Sequence, residues 1–227
     1  MYFAATSEMF GGEPGSAPQN EESRMSPKSP YAIAKLAAFQ LCDMYRTSYN
    51  VFVSCGILFN HESPRRGVDF ATRKLSRAAA EVFHGVRERV EMGNMNAMRD
   101  WGDARVYVKA MHAMLQLEKC DDFVLGTGVM HTVEEFADAA FRNVGIELAW
   151  ETDPYGMRRG VDEKGVVRVL SNPNLFRPNE CRVLCADPAK ATHALGFEAG
   201  GNAFERLVMD MVRADVNDIS RELRAAA

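Results

Sequence analysis

Four side chains in this sequence are of types that together do acid–base chemistry at a carbon–oxygen centre: Thr6, Glu8, Tyr31 and Lys35. Tyr31 and Lys35 stand four apart in Tyr-Ala-Ile-Ala-Lys, so on a helix they share a face and the ammonium can lie beside the phenol. A positive charge there favours the phenolate and makes the tyrosine a usable general base. The spacing alone is a weak signal, because Tyr and Lys are common helix-surface residues. Thr6-Ser7-Glu8 adds a hydroxyl and a carboxylate directly after the apolar run YFAAT. Residues at the carboxyl end of a strand face the ligand crevice of an open α/β sheet. The plain alternative for Thr6-Ser7 is an ordinary turn with its own local hydrogen bonds.

The elements that must position these groups follow from the pattern. Residues 2–6 are expected to form a short buried strand, and 11–27, rich in Gly, Pro, Ser and Glu, a surface loop. Ser29-Pro30 sets an N-cap followed by Pro at the first helical position, and a helix is expected to about Tyr45. VFVSCGILF (51–59) is β-branched and apolar, as in a strand buried on both faces. DFATRKLSRAAAEVFHG reads as a helix stopped at Gly85, and RVEMG as a short strand. The spacing of Val106, Ala110, Ala113 and Met114 predicts a helix over 101–117. DDFVLGTG and HTVEEFADAAFRNVG read as a further strand and helix, capped near Thr132 or His131. The charged, Gly/Pro-rich stretch 151–181 offers one strand candidate, at 166–170. A last helix over about 203–223 carries Phe204, Leu207, Val208, Met211 and Val212 on one face. Strands alternating with helices of this length imply an α/β fold with a mainly parallel sheet. No internal repeat is visible.

Composition bounds the function classes. The chain has 227 residues, 47% hydrophobic and 26% charged, enough to bury a core without disulfides or a structural metal. A net charge of −4 argues against a general nucleic-acid binder. No window approaches a membrane span, and MYFAATSEMF lacks the basic flank of a secretory signal. Cys42, Cys55, Cys120, Cys181 and Cys185 show no paired C-x-x-C spacing and no nearby His that would complete a zinc site. Free thiols in a reducing cytoplasm are the expected state.

The segments TSEMFG, SPYAIAKLAAF, GILFNHESPRRG, FATRKLSRAAA, MGNMNAMRDWGDARVYVKAM and RPNE, in this order, closely resemble the GDP-mannose 4,6-dehydratases. These are extended short-chain dehydrogenase/reductases. The resemblance runs from Tyr2 to about Asp215 and is densest over 6–115. Tyr-x-x-x-Lys is common to the whole superfamily, whereas FNHESPRRG is far more specific. Thymidine-diphosphoglucose dehydratases usually show Asp-Glu where this chain has Ser7-Glu8, which favours the GDP-mannose branch. The resemblance implies a partial Rossmann-type parallel sheet, mainly 1–60 and 88–126, with a smaller C-terminal α/β substrate lobe, mainly 61–87 and 127–227.

It also implies roles. Tyr31 takes the 4-hydroxyl proton of the sugar, Lys35 holds the phenolate and reaches the nicotinamide ribose, Glu8 acts at C5 and C6, and Thr6 positions the 4-oxygen. His61 and Arg66 match cofactor contacts, and Arg99 and Arg177 match arginines that clamp the diphosphate of the substrate. Asn60, Lys74 and Glu180 are further candidates for contacts to the GDP-sugar. Trp101 and the Met-rich run 92–98 are expected to be packing and surface loop rather than a nucleotide stacking box. The implied cofactor is NADP and the implied substrate GDP-mannose, as in GDP-fucose biosynthesis. Pairing of copies would use helices at 29–46 and 69–84.

Departures accompany the match. The family opens with a strand, a G-x-x-G-x-x-G turn and a helix that hold the pyrophosphate of the cofactor. GTGVMH (126–131) comes after Tyr31 in the chain and has His131 where a third glycine is needed, so it reads as a structural strand–helix turn. GGEPG (11–15) enters a Pro-containing loop rather than a helix. About one mononucleotide-binding half, on the order of a hundred residues, is therefore expected to be missing. Val106 stands where the family tends to have Asp, and Asn179 where it commonly has Thr. Three functions fit the sequence: a dehydratase given incompletely, a non-catalytic homologue that associates with a complete one, and a nucleotide-sugar reductase or epimerase. Thr6 and Glu8 speak against the last, which needs no acid/base at C5 and C6.

Overall fold

The computed structural model describes residues 1–176, 183–199 and 203–226. In chain order the elements are β1 (Tyr2–Thr6), α1 (Pro30–Tyr49), β2 (Ser54–Leu58), β3 (Asn60–Glu62) and α2 (Ala71–Phe83). Then come β4 (Val90–Met92), β5 (Met98–Asp103), α3 (Ala104–Met114), β6 (Asp122–Leu125), β7 (Met130–Thr132) and α4 (Val133–Arg142). The chain continues with β8 (Ala149–Thr152), β9 (Arg158–Val161), β10 (Val167–Ser171), α5 (Ala189–Leu195) and α6 (Ala203–Ala226). They divide into two compact units. One contains Met1–His61, Met98–Met130 and the described part of Asn179–Ala203. The other contains the described parts of Glu62–Ala97, His131–Pro178 and Phe204–Ala227.

The first unit is built on a parallel sheet in the order β1-β2-β6, with Thr6 opposite Leu58 and Leu58 opposite Leu125. β2 is buried throughout, as its apolar run predicts, while β1 is only partly buried toward its start. Among the described residues β1 pairs with β2 alone. One face of the sheet packs Ala5, Ile57 and Val124 with Met9, Phe10 and Phe59, and the other packs Leu58, Phe123 and Leu125 with Tyr107, Ala110 and Met114 of α3. The predicted helix over 101–117 is a strand followed by a helix. Trp101 and Gly102 lie in β5, and Asp103 accepts a hydrogen bond from the Arg105 amide to cap α3.

The expected surface loop 11–27 is partly interior. Gln19 is fully buried, its side chain bonded to the Val183 carbonyl and the Cys185 amide, and Glu21 accepts from the Val124 amide at 2.7 Å. α1 extends to Tyr49, beyond the expected end, and turns off at Asn50 in the left-handed conformation. Only Ala32 and Cys42 of that helix are buried, and Ile33, Leu41, Tyr45 and Tyr49 are exposed.

In the second unit α2 packs against α4, and α4 begins with a complete capping box between Thr132 and Glu135. The stretch expected to hold one strand holds most of a four-stranded sheet, β4-β10-β9-β8. Its two hairpins close at Asp-Pro-Tyr-Gly and Asp-Glu-Lys-Gly. There Asp153 and Asp162 accept backbone amides, and Gly156 and Gly165 take φ of 80° and 77°. α6 presents Leu207, Val208, Met211, Val212 and Ile219 to the interior, the face read from the sequence extended by about two turns. It also buries Asp215, which pairs with Arg73 at 2.7 Å and accepts from Ser76 at 2.7 Å, fastening it to α2. None of the helices is long and apolar enough to cross a membrane, and no cluster of metal-ligating side chains occurs among the described residues.

Candidate active site

At the carboxyl end of β1 the chain folds into a single 3-10 turn, Ser7–Phe10, because Thr6 Oγ1 accepts the Glu8 amide at 3.3 Å and Gly11 closes the turn onto the Glu8 carbonyl at 3.1 Å. The backbone of Glu8 is thus held on both sides. With a lone pair of Thr6 Oγ1 occupied by that amide, its hydroxyl proton remains to be donated. Ser29 begins α1: its Oγ accepts the Ala32 amide at 3.1 Å and donates to Glu8 Oε2 at 3.3 Å. The carboxylate therefore sits at the start of the helix that carries Tyr31, two residues along.

Tyr31 and Lys35 share the face expected of them. The Lys35 ammonium lies 5.8 Å from the centre of the Tyr31 ring, 5.3 Å from that of Phe3, and donates to the Ala4 carbonyl at 2.9 Å. An ammonium has three donors, and the bond to Ala4 fixes its stem while using one of them. Tyr31 is half exposed.

Asn60 and His61 follow on β3, beside β5 with Arg99. His61 Nδ1 lies 2.9 Å from the Phe59 carbonyl, so Nδ1 carries the proton, and the ring stacks on Tyr107 at 4.9 Å. Arg99 donates to the Met98 carbonyl at 2.7 Å. In the second unit, Arg66 Cζ lies over the Phe70 ring, 3.6 Å from its centre, and the guanidinium pairs with Glu62 at 3.2 Å. Glu62 is almost completely buried and accepts from Thr72 at 2.7 Å. Burial pushes its carboxyl upward, against the opposing pull of Arg66 and the Thr72 hydroxyl. Lys74 lines a cleft of about 560 Å³ with Asp69, Arg77, Glu81 and Arg87, where the arginines are already paired with Glu81. Arg177 and Glu180 lie outside the described residues.

The glycine turn after β6 has a definite occupant. Asp100, completely buried on β5, accepts from the Thr127 amide at 2.8 Å, the Thr127 hydroxyl at 2.6 Å, the Gly128 amide at 2.9 Å and the Ala186 amide at 3.0 Å. A Cβ at Gly126 would fall 2.3 Å from that of Ala186, so glycine is required there by close packing. The amides a phosphate-binding turn would offer are taken up by this carboxylate. The amides of Thr127 and Gly128 both point at Asp100, so this turn is a structural one.

Three residues escaped the sequence reading: Asp100, Glu62 and the second role of Ser29. Ser29 was visible as a cap, and Glu62 stands four residues before Arg66, a spacing that suits an ion pair. Asp100 carried no signal, because its donors lie 27, 28 and 86 residues away.

Comparison with known proteins gives this geometry a family. Residues 1–211 match the family model described as GDP-mannose 4,6 dehydratase. The GDP-mannose 4,6 dehydratase of Drosophila melanogaster is 44% identical over 219 residues, which cover 95% of this chain and 54% of that protein. The Homo sapiens GDP-mannose 4,6 dehydratase is 42% identical over 216 residues, covering 95% of this chain and 58% of its own length. The chain therefore spans little more than half the length of these relatives. Among solved structures, RMD from Pseudomonas aeruginosa complexed with NADPH superposes with a TM-score of 0.80 at 19% identity, covering 96% of this chain and 66% of that one. A dTDP-glucose 4,6-dehydratase from Bacillus anthracis in complex with NAD gives 0.77 at 16% identity, covering 96% and 62%. These two likenesses establish the Rossmann-type α/β fold, and the match along nearly the whole sequence shows that the chain belongs to the GDP-mannose 4,6-dehydratase family.

Proposed function

We propose that this chain supplies the acid–base and substrate half of a GDP-mannose 4,6-dehydratase, a lyase that converts GDP-mannose to GDP-4-keto-6-deoxymannose with loss of water. The observation that carries the reading is the 3.3 Å bond from Ser29 to Glu8, which gathers a carboxylate, a hydroxyl, a phenol and an ammonium at one strand end and one helix start. NADP, when bound, would supply the hydride chemistry, accepting at C4 of the sugar and donating at C6. Tyr31, as phenolate beside Lys35, removes the 4-hydroxyl proton, and Thr6 donates to that oxygen to hold it in line. The C4 ketone acidifies C5. Glu8 removes the C5 proton and passes it to the departing 6-hydroxyl, which leaves as water, so one carboxyl group acts as base and then acid; once C6 carries hydride, C5 takes up the proton that Tyr31 removed. Lys35, His61 and Arg66 would serve the nicotinamide end of the cofactor, and Asn60, Lys74, Arg99, Arg177 and Glu180 the GDP-sugar.

The pyrophosphate of the cofactor needs amide donors at a helix N-terminus. In this reading they come from a glycine-rich half of the kind the family carries, on the same polypeptide or on an associated complete homologue in the cytoplasm. Two features support such a partner. Among the described residues β1 has an open edge, and beside it Phe3, Ala38, Leu41, Tyr45, Val51 and Val53 line an apolar groove of about 500 Å³. Copies would also pair through α1 and α2. The holoenzyme, meaning the chain assembled with that half and NADP, tests the roles by stopped-flow absorbance of reduced nicotinamide. Tyr31→Phe is expected to abolish the first reduction, and Glu8→Gln to retain it and stall before water loss. Rapid, complete turnover by Glu8→Gln would overturn the assignment.

A further inference from the structure

We infer that Ser29 is a positioning residue for Glu8, holding one carboxylate oxygen so that the other, Oε1, is the atom that exchanges protons with the sugar. The inference rests on the acid/base role proposed above for Glu8. Its warrant is the hydrogen-bond arithmetic of a single hydroxyl. A serine hydroxyl has one proton and acceptor lone pairs. The Ala32 amide, 3.1 Å away, occupies the acceptor side, and an ionised carboxylate can only accept, so the proton points at Glu8 Oε2, 3.3 Å away. Ser29 itself cannot drift. Its backbone is extended (φ −134°, ψ 154°), and Pro30 locks the first helical residue behind it.

The backbone of Glu8 is fixed by Thr6 and Gly11, so the Ser29 bond removes freedom that the side chain would otherwise keep. The same bond ties the carboxylate to the helix bearing Tyr31 and Lys35. The groups acting at O4 and at C5 are then set in register by one cap residue rather than by two independent loops. A displacement of about 1 Å in such a group can cost roughly a hundredfold in rate.

Three substitutions separate this role from capping alone. Ser29→Ala removes both bonds. Ser29→Asp keeps an excellent helix cap but cannot donate and sets a second carboxylate against Glu8. Ser29→Thr keeps both bonds. In the holoenzyme, the Ala and Asp variants are expected to reduce the nicotinamide on mixing and to accumulate it. Their turnover should fall by about ten- to a hundredfold while KM for GDP-mannose stays within about twofold, and Ser29→Thr should recover most of the loss.

Turnover by Ser29→Asp without accumulation of reduced nicotinamide would overturn the inference. So would a loss of the first reduction itself in both variants. Glu8→Gln, run alongside, keeps the two levels apart: its full turnover would refute the role of Glu8, whereas its stalling beside a normal Ser29→Asp refutes only that of Ser29. Should the Ala variant fold poorly, a double-mutant cycle of Ser29→Gly, which is tolerated at a helix cap but cannot donate, and Glu8→Ala on unfolding of the isolated chain reads the contact directly. Coupling of at least about threefold in the unfolding constant is expected, and coupling below about 1.5-fold would overturn it.

Discussion

The completely buried carboxylate of Asp100 collects four donors, and replacing it tests how far that knot holds the first unit together. In Asp100→Ala the four groups do not suffer equally. Thr127 and Gly128 reach the surface, so water can take over their bonds, and each of the three donors loses only the net worth of a hydrogen bond, about 0.5–1.5 kcal/mol. The Ala186 amide belongs to a residue 2% exposed and is left without a partner, at a cost of about 1–3 kcal/mol. The sum is about 2.5–7.5 kcal/mol, a large part of the roughly 5–15 kcal/mol that keeps a domain folded.

Asp100→Asn is the more discriminating change. Its remaining oxygen can serve Thr127, but its amide group then faces the Gly128 and Ala186 amides, donor against donors. We expect about 2–4 kcal/mol. Urea unfolding of the isolated chain, followed by far-ultraviolet circular dichroism, should show both as lower midpoints at an unchanged slope. A cost below about 1 kcal/mol for Asp100→Ala, or a neutral Asp100→Asn, would refute the account of this carboxylate as the fastening of the 126–128 turn.

Two further outcomes concern the second unit. Because burial raises the Glu62 carboxyl above the ordinary range, the folded chain binds that proton more tightly than the unfolded chain, and this group's contribution to stability falls as pH rises above about 4.3. Glu62→Gln removes that slope, so the difference in unfolding free energy between variant and parent should move in favour of the variant from about pH 4 to 7. A pH-independent difference would refute the desolvated carboxylate. Asp215→Ala strands the buried Arg73 guanidinium, whose nearest remaining carboxylate, Asp218, lies 4.0 Å away and is substantially exposed. About 3 kcal/mol of stability should be lost, and the pair Arg73→Met with Asp215→Leu should recover most of it in thermal unfolding. A double variant no better than Asp215→Ala would refute the ion pair as the cause.

What could be read from the sequence divides by the range of the interaction that fixes each feature. β2 and the buried face of α6 rest on local periodicity, and the structure has them where the pattern predicts. The Tyr31–Lys35 pair rests on an i, i+4 spacing inside one helix, and the two side chains do share a face. The hairpins closed by Asp153 and Asp162 were legible in principle, since Asp-Pro-Tyr-Gly and Asp-Glu-Lys-Gly are turn sequences with a glycine where φ must be positive. They were missed because the charged residues between them, such as Arg158 and Arg159, hide the short alternation of β9. The end of β5, residues 101–103, falls in the expected helix because the Val106–Met114 spacing runs backward past its true start, although Asp103 is a suitable cap residue.

The remaining failures have another cause. Gln19, Asp100 and Asp215 are polar residues with no periodic partner, and from sequence alone each belongs on the surface. Each is buried because its hydrogen bonds close across 27 to 166 residues of chain. A buried polar group is tolerable only when its partners are all present, so these contacts come into being with the tertiary fold. The site itself shows both regimes. Tyr31 and Lys35 are set by one helix, whereas Glu8 and Ser29 are brought together by a loop of 20 intervening residues that no local pattern constrains. That is why the cap could be seen from the sequence and its hold on the carboxylate could not.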